Sequence, residues 1–253
     1  MAWTRTYDEA EPQRVNKWLA QSGVCSRREA EALIGQGLVT IDGEVVEDAG
    51  RKILPGQTLV LNDGATRQLG AAMTVMIHKP IGIVSSQPEG EQIPAVRLLT
   101  RGAQFGQPGP VPGRDSKLAP VGRLDMDSRG LLILSEDGVV AKAVIGPEST
   151  LEKEYRVRVR GELTREKIDW LRHGLELDGR KLKRAVVDRL GQETLRFVLT
   201  EGRNRQIRRM CDLVELDVID LFRHRVGPIE LGDLPEGRWR PLTAAEREAL
   251  IRG

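Results

Sequence analysis

Apolar residues fall at helical spacing in two short runs near the start of the chain. Val15, Trp18 and Leu19 stand at i, i+3 and i+4, which predicts a helix from Arg14 that closes at Gly23. Ser26-Arg-Arg-Glu29 has the form of a capping box, in which the Ser26 hydroxyl accepts from the Glu29 amide while the Glu29 carboxylate reaches back. Ala30, Leu33 and Ile34 then share one face, and Gly35 and Gly37 end that helix. The period changes next: Leu38–Ile41 and Glu44–Val46 flank an Asp42-Gly43 turn as a hairpin, and Thr58–Leu61 follows a Pro55-Gly56 turn as a further strand. Residues 13–62 therefore read as a small α/β module. The polar, glycine-bearing run from Asn62 to Gly70 predicts a flexible linker over 63–72.

Residues 73–252 carry a different rhythm. Leu131–Leu134, Tyr155–Arg160, Lys183–Asp188 and Thr194–Thr200 read as strands, the second alternating Tyr155, Val157 and Val159 against Arg156, Arg158 and Arg160. Thr164 can cap a helix running to His173, and Thr243-Ala-Ala-Glu246 is a second capping box that opens a C-terminal helix. Arg203–Val214 predicts a helix with Ile207, Met210, Cys211 and Val214 as its apolar stripe. Strands at hairpin spacing with intermittent helices give an α+β domain with a largely antiparallel or mixed sheet. Thr100–Pro120 is rich in Gly and Pro and has no apolar period, which predicts a functional or disordered loop.

Composition narrows the function. Among 253 residues, 40% are hydrophobic and 30% charged, a globular balance rather than a disordered one. The net charge of +2 hides a mild asymmetry: residues 1–63 carry seven Lys/Arg and ten Asp/Glu, a net −3, which leaves +5 for the rest. Two cysteines build no disulfide framework, and three separated histidines form no metal pair at helical spacing. No apolar run approaches a membrane span, and the first twelve residues are polar and acidic. The expectation is a cytoplasmic protein without membrane or metal dependence.

The stretch Gly122-Arg-Leu-Asp-Met-Asp-Ser-Arg-Gly130 places two carboxylates and two arginines before an apolar strand. Asp125, Asp127, Gly130 and Glu136 match positions 1, 3, 6 and 12 of a calcium loop, but Arg129 puts a cation where position 5 needs an oxygen ligand. An Asp-x-Asp phosphohydrolase needs an apolar strand ending at the first Asp, and Gly122-Arg123-Leu124 interrupts it. From the residues alone, a turn whose carboxylates cap amides and pair with neighbouring arginines stays open. Arg27 and Arg28 raise a similar question: two cations in the first turn of a helix oppose its dipole, and either a solvated pair or an anionic partner accounts for them.

Several segments carry a resemblance. Arg14-Val-Asn-Lys-Trp-Leu-Ala, Ser26-Arg-Arg-Glu-Ala and Leu38-Val-Thr-Ile-Asp-Gly together resemble an S4 RNA-binding domain. Gly122-Arg-Leu-Asp125 with Ser128-Arg-Gly-Leu-Leu-Ile-Leu134 resembles the catalytic motif of the RsuA/RluB/RluE/RluF family of bacterial ribosomal RNA pseudouridine synthases. His78-Lys-Pro-Ile-Gly-Ile-Val-Ser85, Glu152-Lys-Glu-Tyr155 and Glu201-Gly-Arg-Asn-Arg-Gln-Ile-Arg-Arg-Met210 resemble three further motifs of that family, in its order, and look closest to the RluF-type large-subunit members. The Gly/Pro-rich stretch before Pro120 departs from the family by its length.

The resemblance implies the pseudouridine-synthase fold, a long bent sheet with a central cleft, joined to an S4 domain. It implies isomerisation of a uridine in ribosomal RNA, in 23S rather than 16S: the N1–C1′ bond breaks, the base turns, and C5 joins C1′, with no cofactor or metal demanded. Asp125 inherits the catalytic carboxylate, Arg208 the arginine that pairs with it, and Tyr155 the ring that stacks on the uracil. RNA contacts fall to Arg14, Lys17, Arg27 and Arg28 in the first module. In the second they fall to Lys79, Arg123, Arg203, Asn204, Arg205, Gln206 and Arg209. The implied partner is a structured stem-loop of ribosomal RNA, free or in a pre-ribosomal particle, bound by a monomer. A non-catalytic S4-type ribosome-assembly factor on the same scaffold is the rival reading.

Overall fold

The computed structural model describes residues 1–113 and 115–253; Arg114, within the Gly/Pro-rich stretch, lies outside the described residues. The chain divides into two compact units, one of residues 1–73 with 135–142, the other of residues 74–134 with 143–253.

In the first unit the predicted helices form over Val15–Gln21 and Arg27–Gly35, and both bonds of the Ser26/Glu29 capping box are made. Their apolar faces meet an antiparallel sheet ordered Trp3–Thr6, Thr58–Leu61, Val39–Ile41, Glu44–Val45. Trp18, Leu19, Leu33, Val39, Ile41 and Leu59 are buried together, with Tyr7 set edge-on to Trp18 at 5.4 Å between ring centroids. Two features depart from the sequence pattern. Trp3–Thr6 is an edge strand outside the expected 13–62 bounds, legible only through its pairing because three of its four side chains face solvent. Residues 63–72 are not a flexible linker: Asp63–Gly70 is a helix, capped by the Asn62 side chain on the Ala65 amide at 3.0 Å, with Ala65 buried and Leu69 packed against the core.

The second unit is built on a nine-stranded mixed sheet. Its main path runs Val186–Arg189, Thr194–Leu199, Lys153–Arg160, Asp217–Val226, Arg129–Ser135, Thr74–Lys79, Trp239–Pro241, with short strands Ala119–Pro120 and Ile229–Glu230 attached. Most neighbours are antiparallel; Arg129–Ser135 and Asp217–Val226 run parallel. The predicted alternation of Tyr155–Arg160 is realised, with Tyr155, Val157 and Val159 buried and Arg156, Arg158 and Arg160 exposed. On the arginine side Glu154 accepts from Arg196 and Arg225 of the two flanking strands, and His224 Nε2 lies 3.3 Å from its carboxylate. The Arg196 hydrogen bond chiefly holds its carboxyl down at about 2, against the opposing effect of burial. The Gly/Pro-rich stretch is anchored at its start, where the buried Trp239 indole donates to Thr100 O at 2.8 Å and Phe105 N donates to Trp239 O at 2.8 Å.

Gly130 is fixed by the parallel pairing. Its φ is +112°, and a Cβ there would lie 2.2 Å from the carbonyl oxygen of Arg223 in the facing strand. Gly130→Ala combines backbone strain with an unyielding clash and is expected to cost about 3 kcal/mol or more. In a chain of this size that lowers Tm by roughly 6–12 °C, which a thermal melt of the purified variant against wild type measures directly.

Candidate active site

A cleft of about 750 Å³ opens in the second unit, lined by the 122–128 loop, by Tyr155 and by residues 199–207. Asp125 sits on that loop with its carboxylate about one-third exposed. The loop is held from behind, one carbonyl at a time. Arg223 donates to the oxygens of Gly122 (2.9 Å) and Arg123 (3.4 Å), and Ser85 Oγ donates to Leu124 O at 2.6 Å. Asp125 O accepts from Ser128 N at 3.1 Å, Met126 O from Gly82 N at 2.8 Å, and Asp127 O from Arg208 Nη2 at 2.7 Å. Six consecutive carbonyls are thus satisfied, and Ser85 Oγ also accepts from Leu124 N at 2.9 Å. Irregular backbone beside a cleft carries polar groups that sheet pairing cannot satisfy; here side chains of Arg223, Ser85 and Arg208, with the Gly82 and Ser128 amides, do so and fix the path of the chain at Asp125.

The cation beside Asp125 is not the one expected. Arg205 Nη1 lies 3.6 Å from the Asp125 carboxylate, and its fork meets Asp127 at 2.8 and 3.1 Å. Arg208 instead reaches Asp127, through the carbonyl and by an ion pair of 3.3 Å, and does not contact Asp125. The difference is one of helix phase. The predicted Arg203–Val214 helix begins only at Gln206, and Arg205 caps it in the left-handed region, with φ 48°. That turn directs its guanidinium to the 125–127 loop, while Arg208, one turn along, points beneath it. Burial pushes the Asp127 carboxyl up, but Arg205 and Arg208 outweigh this and hold it below the usual carboxylate range.

Other expected contacts sort by exposure. Arg14, Lys17, Arg27 and Arg28 are exposed on the first unit, and their side chains make no hydrogen bond or ion pair among the described residues. Arg123 and Asn204 are exposed at the cleft and likewise unpaired. Lys79 and Gln206 are not surface residues. Lys79, 0% exposed, donates to Pro80 O and Ile83 O at 2.8 and 2.7 Å. Gln206 is buried, accepting from Arg203 N and donating to Glu201. Arg203 spends its guanidinium on the carbonyls of Leu177, Arg180 and Lys181, and Arg209 is paired with Asp178 at 2.6 Å. Tyr155 lies in the cleft wall, its ring centroid 6.0 Å from the Arg223 guanidinium carbon.

Sequence reasoning missed Arg223, Ser85 and Asp127 as parts of this site. Arg223, 2% exposed, also donates to Leu131 O at 2.8 Å. Its only sequence signal is a charged residue at an inward position of the Asp217–Val226 strand, which marks a partner without naming it. Among the described residues no helix is long and apolar enough to cross a membrane, and no group of three His, Cys, Asp or Glu is placed to hold a metal ion.

Comparison with known proteins gives the geometry its family. The RNA pseudouridylate synthase family matches residues 73–213, and the S4 domain matches residues 13–59. The dual-specificity RNA pseudouridine synthase RluF of Escherichia coli K12 is 33% identical over 241 residues, covering 94% of this chain and 78% of the relative. An uncharacterized RNA pseudouridine synthase of Aquifex aeolicus is 32% identical over 240 residues, covering 94% and 96%. A crystal structure of a pseudouridylate synthase superposes with a TM-score of 0.64 at 27% identity, covering 94% of this chain and 99% of that one. The chain belongs to the RNA pseudouridylate synthase family, in its S4-bearing, RluF-like branch, and its fold is the expected pseudouridine-synthase fold.

Lys79 gives the site a pH signature. Burial lowers its pKa to about 8, from 10.5 in an exposed lysine, despite the opposing pull of Asp127 and Asp125. Between these values the unfolded chain holds more protons than the folded one, so stability rises with pH. Wild type should therefore gain up to about 3 kcal/mol relative to Lys79→Met as pH climbs through that window. Urea unfolding of both proteins at each pH reads the difference; a constant gap would show that the ammonium is not desolvated.

Proposed function

We propose that this enzyme converts a uridine of ribosomal RNA, in the large-subunit 23S molecule, to pseudouridine, with Asp125 as the catalytic carboxylate. The observation that carries the reading is the placement of Asp125. It projects from a loop with six consecutive carbonyls tied, into a cleft walled by a tyrosine ring, with a guanidinium 3.6 Å away. A carboxylate aimed in advance, with a cation beside it, suits attack on, or proton removal from, a bound nucleotide.

A uridine within folded RNA must leave its stack to enter such a cleft, at a cost of a few kcal/mol. Tyr155 offers a ring for the extracted base. Arg123, exposed and unpaired two residues before Asp125, is free to contact the displaced strand or its phosphates. Arg205 bridges Asp125 and Asp127, 3.6 Å from the first and 2.8 Å from the second, and so orients the Asp125 carboxylate in the cleft. Arg208 serves the site through Asp127, as a positioning residue. On the S4 unit, Arg14, Lys17, Arg27 and Arg28 are open cations suited to the phosphates of a structured stem. The relatives' name, RNA pseudouridine synthase, supports the same substrate class. The protein acts as a monomer in the cytoplasm, on free ribosomal RNA or pre-ribosomal particles.

Ribosomal RNA tritiated at uracil C5 tests this directly, because the new C5–C1′ bond expels the label. Wild type should release tritium in the presence of EDTA. Asp125→Asn should bind the RNA with unchanged affinity and lose at least about 10³-fold in rate. Tight binding without release, on transcripts and on ribosomal particles alike, would identify a non-catalytic assembly factor instead.

A further inference from the structure

The cleft holds more positive charge than its carboxylates account for. Arg123, Lys153, Lys183, Arg203, Arg205 and Arg223 line it against Asp125 and Glu201. Arg205 answers Asp125, and Glu201 is engaged by Arg203 at 3.5 Å, by Gln206 and by the Lys183 amide. Lys153, Lys183 and Arg223 are left without any carboxylate within ion-pair distance among the described residues. Lys153 is the notable one. It is 8% exposed, and the one hydrogen bond its ammonium makes among the described residues goes to Leu151 O at 3.2 Å. Burial pushes its pKa below the usual lysine range, and Arg223 and Lys183 push the same way.

A buried ammonium is expensive, and two neighbouring cations make it more so. Arg223 gives one donor from each of its three nitrogens to a carbonyl, so it is held in place and acts on the site mainly through its charge. Lys153 keeps donors free and lies on the cleft wall. Such an arrangement weakens the empty protein, and an anion in the cleft relieves it while keeping the ammonium charged. Lys153 also stands two residues from Tyr155 on the same face of one strand, about 6.6 Å along it. That is a spacing one nucleotide spans between its base and its backbone phosphate.

From this we infer that Lys153, with Lys183 and Arg223 beside it, forms a phosphate subsite that grips the RNA backbone next to the nucleotide lying against Tyr155. The inference rests on the synthase reading of the cleft and adds a binding residue to it. Lysine suits the task as a compact, rotatable point charge with several donors.

The test is the salt dependence of RNA binding. Full-length wild type, Lys153→Met, Lys153→Arg and Lys183→Met are titrated with labelled, protein-free ribosomal RNA transcripts across a KCl series, with tritium release followed in parallel. Removing the cation from one phosphate should flatten the log Kd against log salt line by about 0.7–0.9. Lys153→Met should show that change and bind roughly tenfold more weakly at low salt, the equivalent of one charged hydrogen bond of about 1.4 kcal/mol. Lys153→Arg should keep the wild-type slope, and Lys183→Met should weaken binding in the same direction. The melting temperature of Lys153→Met should equal or exceed that of wild type, because an unpaired buried charge has been replaced by an apolar chain of similar volume.

A lowered melting temperature with an unchanged slope would overturn the subsite and make Lys153 a packing residue. Unchanged slopes in both Lys153→Met and the surface variant Lys183→Met would overturn it even if Lys153→Met folded poorly. Absence of tritium release from wild type would instead remove the synthase reading, which the binding slopes do not depend on.

Discussion

The six carbonyls from Gly122 to Asp127 are the constraint on which the catalytic unit turns. A loop that presents a carboxylate to a cleft cannot pair its own backbone as a strand or helix does, and water is a poor substitute where the carboxylate must be aimed. This protein recruits donors from three distant segments: Gly82 and Ser85 after the Thr74–Lys79 strand, Arg208 on the Gln206–Leu213 helix, and Arg223 on the Asp217–Val226 strand. Each is useful only if the sheet is assembled in its native register, so the aim of Asp125 is a property of the whole unit. Gly130 is part of the same requirement, since its missing side chain lets the strand that follows the loop close on the strand that carries Arg223.

Electrostatics around that loop divide into answered and unanswered charge. Asp127 holds the forks of Arg205 and Arg208, and Glu154 on the other side of the sheet ties Arg196 and Arg225. With Asp125 on Arg205, Asp188 on Arg196 and Glu152 on Arg225, each of these cations has an acid within ion-pair distance, and the clusters rigidify what they join. The cleft wall at Lys153 and Arg223 is different, because its cations face one another and no acid. Arg223 is tied to the carbonyls of the 122–128 loop, but Lys153 makes one hydrogen bond among the described residues and would be less costly as an apolar residue, so its charge points to binding, where stability and function commonly oppose each other.

Much of the outline was legible in the residues. The alternation of Tyr155–Arg160, the capping boxes at Ser26 and Thr243, and the i, i+3, i+4 spacing of Val15, Trp18 and Leu19 are local signals, and the local structure follows them. Asp63–Gly70 misled because a short helix with one buried alanine looks polar; its stability comes from the Asn62 cap and from packing that the sequence does not display. Lys79 and Gln206 misled in the other direction. Polar side chains within a motif suggest surface contacts, yet both turn inward to satisfy backbone and side-chain groups.

The sequence by itself determined the two-part composition, the α+β class and the family, and it marked Asp125 as the carboxylate proposed for its chemistry, because periodicity, caps and contiguous motifs are encoded within a few residues of one another. Only the tertiary structure decided which arginine faces Asp125, since a left-handed residue at the head of one helix moves Arg205 over the loop and leaves Arg208 beneath it. It alone also brought Arg223 and Ser85 to the 122–128 loop, from about 100 and 39 residues away, and gathered Lys153, Lys183 and Arg223 on one wall without a counter-ion. Such pairings depend on strand register and helix phase, which couple residues far apart in the chain and leave no pattern in either segment alone.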